Sequence, residues 1–327
     1  FGFIVPSLAN VPGQLAAAAG AVLILTVINV LGVRQGKYTQ NFLTAVKVAG
    51  LGAVCLAGLL VTRGQVETAA VGPPSAADPG LALILVLFAF GGWRNISYVA
   101  AEVIDPRRNI VLALVWGTLG VTAIYITANL AYLRALGYAG AAASHSIASD
   151  VVQLLLGDAG AVLVSALICA TCIGSINGML FTNARIYYAT GRAHPMYGWL
   201  GAWDARLDSP VRALILQAVT TLVLILAVGL NADAFARLVV FSAPVHWLFS
   251  LLIAISVFVL RRRDAGVPRA FSVPWYPLTP LLFCGMTFYL GYASVSYAIG
   301  HDYSEAAWIL AVLAAGILAS LRTRSQR

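Results

Sequence analysis

Long apolar stretches, separated by short polar connections, make up most of this sequence. Most are near the roughly twenty residues that an α-helix needs to cross the hydrocarbon core of a bilayer. The pattern predicts nine membrane-spanning helices. We label them A to I, at residues 14–33, 38–62, 80–104, 110–134, 151–188, 210–230, 234–260, 277–299 and 305–321. Span E is long for a single perpendicular crossing, so we expect it to tilt or to extend beyond the membrane.

The composition supports a polytopic membrane protein that is entirely α-helical. Of the 327 residues, 61% are hydrophobic and only 10% are charged. The mean hydropathy is +0.89, whereas a soluble domain carries about 25% charged residues. The four cysteines all fall inside apolar stretches, so we interpret even the pair Cys169 and Cys172 as small packing residues. We expect no cofactor and no metal.

The basic residues indicate how the spans are oriented, because cytoplasmic loops carry an excess of Lys and Arg. Fifteen of the twenty lie at one set of alternate connections and the tail: Arg34, Lys37, Arg107, Arg108, Arg185, Arg192, Arg206, Arg212, Arg261, Arg262, Arg263, Arg269, Arg322, Arg324 and Arg327. Three lie at the other set: Arg63, Arg134 and Arg237. This split predicts a cytoplasmic C-terminus and, with nine spans, Phe1 outside. The net charge of +8 then reflects topology, and no nucleic acid partner is expected.

Span C is interrupted near its middle. An apolar run meets Gly91 and Gly92, polar residues follow at once, and Asp105-Pro106 ends the segment. A break at membrane depth leaves backbone groups unpaired unless protein, water or a ligand satisfies them. Interrupted spans of this kind are typical of transporter binding sites. The alternative is that the two glycines only let two helices pack closely.

Three ordered blocks carry a family resemblance: residues 85–110, residues 172–195, and residues 29–34 with Gln40, Asn41 and Lys47. The chain resembles the amino acid–polyamine–organocation transporters and is most similar to their L-type amino acid transporter branch. The resemblance implies a fold of two inverted five-span repeats, with A to I matching family spans four to twelve. Residues 1–62 would be the end of an incomplete first repeat, 63–260 a complete second repeat, and 261–327 two further spans and a cytoplasmic tail. The sequence is therefore expected to be truncated at its N-terminus.

The resemblance also implies a substrate site. Its expected members are Phe88, Ala89, Gly91, Gly92, Asn177, Met179 and His246. Phe88 matches an aromatic lid, and backbone carbonyls near the break would face the substrate ammonium. Met179 stands where the branch commonly has serine, and His246 where the family tends to have asparagine. The histidine could bind substrate, titrate, or only make a packing hydrogen bond.

Lys47 is the one lysine or arginine in span B. A lysine at mid-membrane costs about 2.5–3.5 kcal/mol on an insertion scale, so it needs partners. The resemblance implies that its ammonium replaces a coupling sodium ion and binds a hydroxyl of span E, from Ser175 or Thr171. Proton coupling and a fixed structural charge both stay open for this lysine.

A cytoplasmic gate of ion pairs is expected after the break. Its members would be Glu102, Asp105, Arg107 and Arg108. Arg94 could reach an anionic group, or pair with Glu102 or Asp105.

Secondary transport of amino acids across a plasma (inner) membrane is the function that the resemblance favours. A membrane-embedded enzyme needs clustered His, Asp or Glu, which the spans lack, and no phosphate-binding G-x-x-x-x-G-K-[ST] motif is present. The sequence also leaves open a channel or an inactive truncated remnant. The expected partners are the amino acid and the lipid bilayer. A homo-oligomer stays open. The absence of cysteine from residues 1–54 gives no support for a disulfide-linked glycoprotein.

Overall fold

Helices make up the regular structure of the chain. The computed structural model describes residues 10–61, 86, 89–144, 146–229, 234–267 and 272–301, with the single residues 314 and 316. We number the helices in chain order: α1 Val11–Val30, α2 Val33–Leu60, α3 Asn95–Tyr98, α4 Pro106–Ala143, α5 Ile147–Leu156, α6 Asp158–Ala193, α7 Val211–Val228, α8 Ala234–Arg263 and α9 Leu278–His301. Short 3-10 helices cover Gly91–Arg94, Ala100–Glu102 and Pro195–Gly201.

Six of the described helices are long and apolar enough to cross a membrane. They are Val11–Val30, Val33–Leu60, Pro106–Ala143, Asp158–Ala193, Ser242–Arg263 and Leu278–Ser296. Large apolar side chains cover their outer surfaces; Trp116, for example, is 69% exposed. Contiguous apolar surface of this extent is typical of contact with lipid. Most of span I and much of the first half of span C lie outside the described residues, so the total of nine spans stays a prediction.

The first two helices are joined by a tight turn that depends on glycine. The side chain of Asn10 caps α1 by accepting a hydrogen bond from the Gly13 amide at 2.8 Å. Gly32 then adopts a φ of 133° before α2 begins, a conformation open to glycine and strained for other residues. A Cβ at Gly32 would also lie 2.7 Å from the Leu207 carbonyl oxygen, so the turn is closely covered.

Two predicted spans have different ends in the structure. The helix predicted at 110–134 begins at Pro106 and continues to Ala143, with a kink at Gly137, where φ is 68°. The prediction of one continuous span E from 151 to 188 was wrong, because Gly157 adopts a φ of 57° and separates α5 from α6. Both departures fall at glycines inside apolar sequence, where positive φ carries no steric penalty.

Small residues allow α2 to pack closely on α4 and α6. A Cβ added at Gly58 would lie 2.9 Å from both the Cβ and the carbonyl oxygen of Ala131 on α4. Between α2, α5 and α6, the side chains of Val54, Val152 and Val164 form a buried cluster. Close backbone approach at small residues is typical of helix packing in membranes, where burial from water does not drive association.

The described chain divides into two compact units. Helices α1 to α7 form the first, and α8 packs on α9 in the second. Within the second unit, the guanidinium of Arg261 lies 3.8 Å from the ring centroid of Tyr276. The described residues of the predicted site lie in the first unit, apart from His246 on α8.

Candidate functional site

The chain loses regular α-helical structure where the break is predicted. Gly91–Arg94 is a 3-10 helix, and α3 is a single turn. A second 3-10 turn, Ala100–Glu102, leads into extended backbone at Val103 and a left-handed residue, Asp105, with a φ of 46°. The segment from Gly91 to Asp105, which we call the irregular segment, therefore has few of the backbone hydrogen bonds of a continuous helix.

Tyr125 of α4 holds the start of this segment. Its hydroxyl donates a hydrogen bond to the carbonyl oxygen of Ala89 at 3.2 Å. Its ring meets that of Phe90 edge to face, with centroids 5.1 Å apart. A carbonyl expected to face a substrate ammonium is thus already in contact with a hydrogen-bond donor. The sequence did not single out Tyr125, although it lies on α4 near Thr118 and Thr122.

A cavity of about 340 Å³ lies between the irregular segment and α4. Ala89, Phe90 and Gly92 line one wall, and Thr118 and Tyr125 are among the residues of the other. A Cβ built at Gly91 or Gly92 would meet no described atom within 4 Å. Within the described part of the chain, close helix packing therefore does not explain these glycines, and Gly92 borders the cavity.

Lys47 points from α2 toward α6. Its ammonium donates to the Ser175 hydroxyl at 3.1 Å, and that hydroxyl donates to the Thr171 carbonyl oxygen at 3.0 Å. Ser175 thus supplies the hydroxyl, while Thr171 contributes its backbone. Gly174 makes room for the lysine, because a Cβ there would lie 2.9 Å from Lys47 Cε. Within the described ranges, the Lys47 ammonium has one hydrogen-bond partner, the Ser175 hydroxyl.

Asn177 lies fully buried at the contact of three helices. Its oxygen accepts from the Asn29 side chain at 2.8 Å, and its amide donates to Gln40 Oε1 at 2.9 Å and to the Gly36 carbonyl at 3.3 Å. Both amide protons and the oxygen are therefore used within the protein. This geometry joins α1, α2 and α6, and a role for Asn177 in contacting substrate stays a prediction.

Met179, His246 and Phe88 are the remaining predicted substrate residues. The Met179 side chain is 56% exposed, and its carbonyl accepts a hydrogen bond from Gln217 at 3.3 Å. His246 lies on α8 in the second unit and meets Trp247 edge to face, with centroids 4.9 Å apart. Phe88 lies outside the described residues. Their roles stay predictions.

Glu102 and Arg185 form an ion pair between the irregular segment and α6. Arg185 Nε lies 2.8 Å from Glu102 Oε1, and Nη2 lies 3.1 Å from Oε2, so the contact is bidentate. The arginine side chain is 8% exposed and the glutamate side chain 33%. Arg185 also donates to the Phe181 carbonyl oxygen and stacks on the Phe181 ring. A fork-to-fork contact of this kind is strong and directional.

The expected ion pairs among the four gate residues do not form. Glu102 pairs with Arg185 instead, and no ion pair occurs for Asp105, Arg107 or Arg108 within the described chain. Asp105 precedes α4, where Asn109 donates to the Ile104 carbonyl at 2.5 Å. In the sequence, Arg185 was interpreted only as a cytoplasmic charge. Its position inside an apolar helix was the signal that it needed an anionic partner.

The described chain is all-helical, with six helices long and apolar enough to cross a membrane and an irregular segment beside a cavity. These features indicate a polytopic membrane protein. The model of the amino acid permease family matches residues 2–320. The chain belongs to this family, which confirms the resemblance. It is 30% identical over 275 residues to the serine/threonine exchanger SteT of Bacillus subtilis, covering 83% of this chain and 62% of the relative.

Animal transporters are similar at nearly the same level. The chain is 29% identical to the b(0,+)-type amino acid transporter 1 of Oryctolagus cuniculus, over 78% of this chain and 52% of that protein. It is 28% identical to the large neutral amino acids transporter small subunit 2 of the same species, over 81% and 50%. The chain thus spans between half and two thirds of the length of these relatives.

Proposed function

We propose that this protein moves amino acids across a membrane as a secondary transporter that works by alternating access. The observation that carries the proposal is the irregular segment, which borders a cavity at a position where the family model also matches the chain. Irregular backbone at membrane depth is tolerated where it lines a cavity or is buried in protein. The names of the relatives, an exchanger and two amino acid transporters, support the same function.

The part of the substrate that these relatives share is the amino acid ammonium and carboxylate, since their names point to different side chains. We infer that backbone groups of Ala89, Gly91 and Gly92 contact this shared part, with Phe88 as a lid. Backbone carbonyls and amides can bind an ammonium and a carboxylate without a charged side chain. Tyr125 would then exchange its hydrogen bond to Ala89 for one to the substrate. Neutral amino acids are the substrate class that this arrangement fits.

The Glu102–Arg185 ion pair is the gate element that we propose. It joins the irregular segment to α6, so movement of that segment requires the pair to part or to travel with α6. Asp105, Arg107 and Arg108 would contribute charge at the same end of the molecule. Asn177 is proposed as a support of the site rather than a substrate ligand, because its hydrogen bonds are used between helices. Met179 and His246 are proposed as further substrate residues on the family resemblance alone.

Lys47 is proposed as the stand-in for a coupling cation. Its contact with Ser175 ties α2 to α6, the two helices that would slide or rock during alternating access. A fixed ammonium there can supply the charge that a bound sodium ion would supply. This role rests on the position of Lys47 inside an apolar helix and on the hydroxyl that it contacts.

The topology that we propose has nine spans, Phe1 outside and Arg327 inside, in a five-plus-five inverted repeat. Its basis is the uneven distribution of Lys and Arg among the connections. Cysteines placed at Arg206 and Arg262 should react with an impermeant reagent from the cytoplasmic side of oriented vesicles. Reaction from the outer side alone would overturn this orientation.

No disulfide-linked partner is part of the proposal. The four cysteines, Cys55, Cys169, Cys172 and Cys284, all lie within helices. One relative's name marks it as a small subunit, and that name concerns the relative.

Counterflow in proteoliposomes tests the function directly. Vesicles loaded with unlabelled L-threonine should accumulate external radiolabelled L-threonine, and protein-free vesicles should not. Unlabelled L-leucine added outside should compete if the shared backbone groups are what the site recognises. Accumulation equal to that of protein-free vesicles, with L-threonine and L-leucine tested in turn, would overturn the proposal.

A further inference from the structure

A second cavity borders Glu102, the glutamate that pairs with Arg185. Its volume is about 560 Å³, within the range of about 300–1,000 Å³ that small-molecule sites occupy. Helix α2, the end of the irregular segment and the loop before α7 supply its walls. The side chains with hydrogen-bonding groups that line it are Lys37, Gln40, Asn41, Glu102, Trp203 and Asp208.

The charges around this cavity are of both signs and are not paired across it. Lys37 makes no ion pair within 4.0 Å anywhere in the described residues. Asp208 accepts a hydrogen bond from the Trp203 indole at 3.1 Å, and no described cation neutralises it. Lys37 and Asp208 are both exposed, and they line one space without pairing with each other. A ligand that carries both charges would be complementary to both walls.

Hydrogen bonds hold the loop that carries Asp208 in place. Asp208 has a φ of 47°, which Asp tolerates better than most residues. Its carbonyl accepts from the Val33 amide at 3.3 Å, and the neighbouring Ser209 hydroxyl donates to the Asn29 carbonyl at 3.0 Å. Paired backbone hydrogen bonds between Asp204 and Ser209 close the loop. The carboxylate is therefore positioned before any ligand arrives, which lowers the entropy cost of binding.

We propose that this cavity is a second binding site for amino acid zwitterions, separate from the site at the glycine break. The ligand carboxylate lies toward Lys37 and the side-chain amides of Gln40 and Asn41. The ligand ammonium lies toward Asp208 and Glu102. The proposal rests on the proposed transport function, since this cavity would bind the same class of substrate at a second position along the transport path.

Other ligand classes fit the charges less well. A simple anion meets Lys37 but also two carboxylates, and a simple cation meets the carboxylates but also the lysine. Only a ligand with separated charges of both signs is favoured on both walls. Because Glu102 also holds Arg185, a ligand ammonium at Glu102 would compete with the ion pair that we propose as a gate.

The test uses three probes that differ mainly in charge. L-Threonine is a zwitterion, its methyl ester is a cation, and N-acetyl-L-threonine is an anion. Equilibrium binding to the purified chain in detergent is measured by calorimetry for the wild type, Lys37→Gln and Asp208→Asn. Asn is chosen because it also tolerates the left-handed backbone at this position. Arg206→Gln, an exposed charge on the same loop that does not line the cavity, is the matched control.

The expected result is a reciprocal pattern. Lys37→Gln should weaken L-threonine and N-acetyl-L-threonine binding by about two- to fivefold and should not weaken the methyl ester, because the lysine repels that cation. Asp208→Asn should weaken L-threonine and the methyl ester by a similar factor and should not weaken the N-acetyl compound, because the aspartate repels that anion. Arg206→Gln should match the wild type with all three probes. The effects should shrink at high salt, because the charged groups are partly exposed.

Two results would overturn the proposal, and they are distinguishable. Equal affinities in the wild type and both variants, with counterflow intact, would remove the second site and leave the transport function standing. Absence of both L-threonine binding and counterflow in the wild type would overturn the proposed function together with this site. Weakening of all three probes alike by either variant would indicate a structural role and would also contradict the proposal.

Discussion

Glycine serves opposite purposes in the contact of α2 with its neighbours and in the irregular segment. At Gly58, an added Cβ would lie 2.9 Å from Ala131, so the residue is needed for close packing. At Gly92, an added Cβ would meet no described atom within 4 Å, and the residue borders a cavity. The same residue type in equally apolar sequence thus marks a closed contact in one region and an open space in the other.

The difference separates what stabilises the fold from what is available for binding. The packed region has little room for added volume, because its helices already touch through small residues. The irregular segment has room for added side-chain volume. It is held in place by its backbone hydrogen bonds and by its ion pair to α6. We therefore expect substitutions in the packed region to lower stability, and substitutions in the open region to lower transport.

Arg185→Met should have the largest effect, because it detaches the irregular segment from the packed region. Removing one partner of a buried ion pair costs about 3–5 kcal/mol, and the partial exposure of Glu102 favours the lower end. The free energy of unfolding in detergent measures this. Arg192→Met, an exposed arginine in the last turn of the same helix, should change it by less than about 0.5 kcal/mol. Equal losses in the two variants would contradict the importance of the pair.

Gly58→Ala should lower the free energy of unfolding by about 1–3 kcal/mol, because the new methyl group overlaps Ala131. Gly52→Ala on the same helix is the matched control, since its Cβ meets no described atom within 4 Å. That control should be neutral or stabilising by up to about 1 kcal/mol, as alanine favours helix. If both variants behave alike, packing at Gly58 is not what the structure indicates.

Lys47→Ala should slow counterflow by at least about tenfold, equivalent to about 1.4 kcal/mol, because α2 loses its charged contact with Ser175. Ser175→Ala should act in the same direction and more weakly. Thr190→Ala, another α6 hydroxyl bonded within its own helix, should leave transport unchanged. If the lysine works by titrating, its removal also flattens the pH dependence of uptake. A fixed charge leaves that profile in place.

Tyr125→Phe should have the smallest effect on stability, about 0.5–1.5 kcal/mol, because it removes one hydrogen bond to the Ala89 carbonyl and keeps the ring contact with Phe90. Transport should change more than stability does, since that carbonyl belongs to the proposed substrate site. The loss of transport relative to the loss of stability should therefore be larger for Tyr125→Phe than for Gly58→Ala. Equal ratios would mean that the open region and the packed region do not differ in this way.

The sequence predicted elements well where local chemistry decides them. Pro106 begins α4 next to the expected stop at Asp105-Pro106, and α2 ends at Leu60, two residues before the expected end of span B. Gly137 and Gly157 were not recognised as a kink and a break. A glycine in apolar sequence can pack, kink or turn, and its neighbours along the chain do not say which.

The site was predictable only in part, for a similar reason. Lys47 stood out because a charge inside an apolar span needs a partner, and Ser175 was one of the two candidates offered. The pairing of Glu102 with Arg185 joins residues 83 positions apart, and no local pattern specifies such a contact. Asn177 was predicted to contact substrate. In the structure its side-chain amide is hydrogen-bonded to Asn29 and Gln40, and the sequence does not show that these residues are its neighbours.

Counterflow of L-threonine in proteoliposomes, compared between Gly92→Leu and Gly52→Leu, tests the central claim most directly. Both substitutions place the same side chain where an added Cβ meets no described atom within 4 Å. Only the first fills the cavity beside the irregular segment. We predict that Gly92→Leu abolishes counterflow and that Gly52→Leu retains it at the wild-type rate. Wild-type counterflow in Gly92→Leu, with the protein folded, would contradict a transport site at the break.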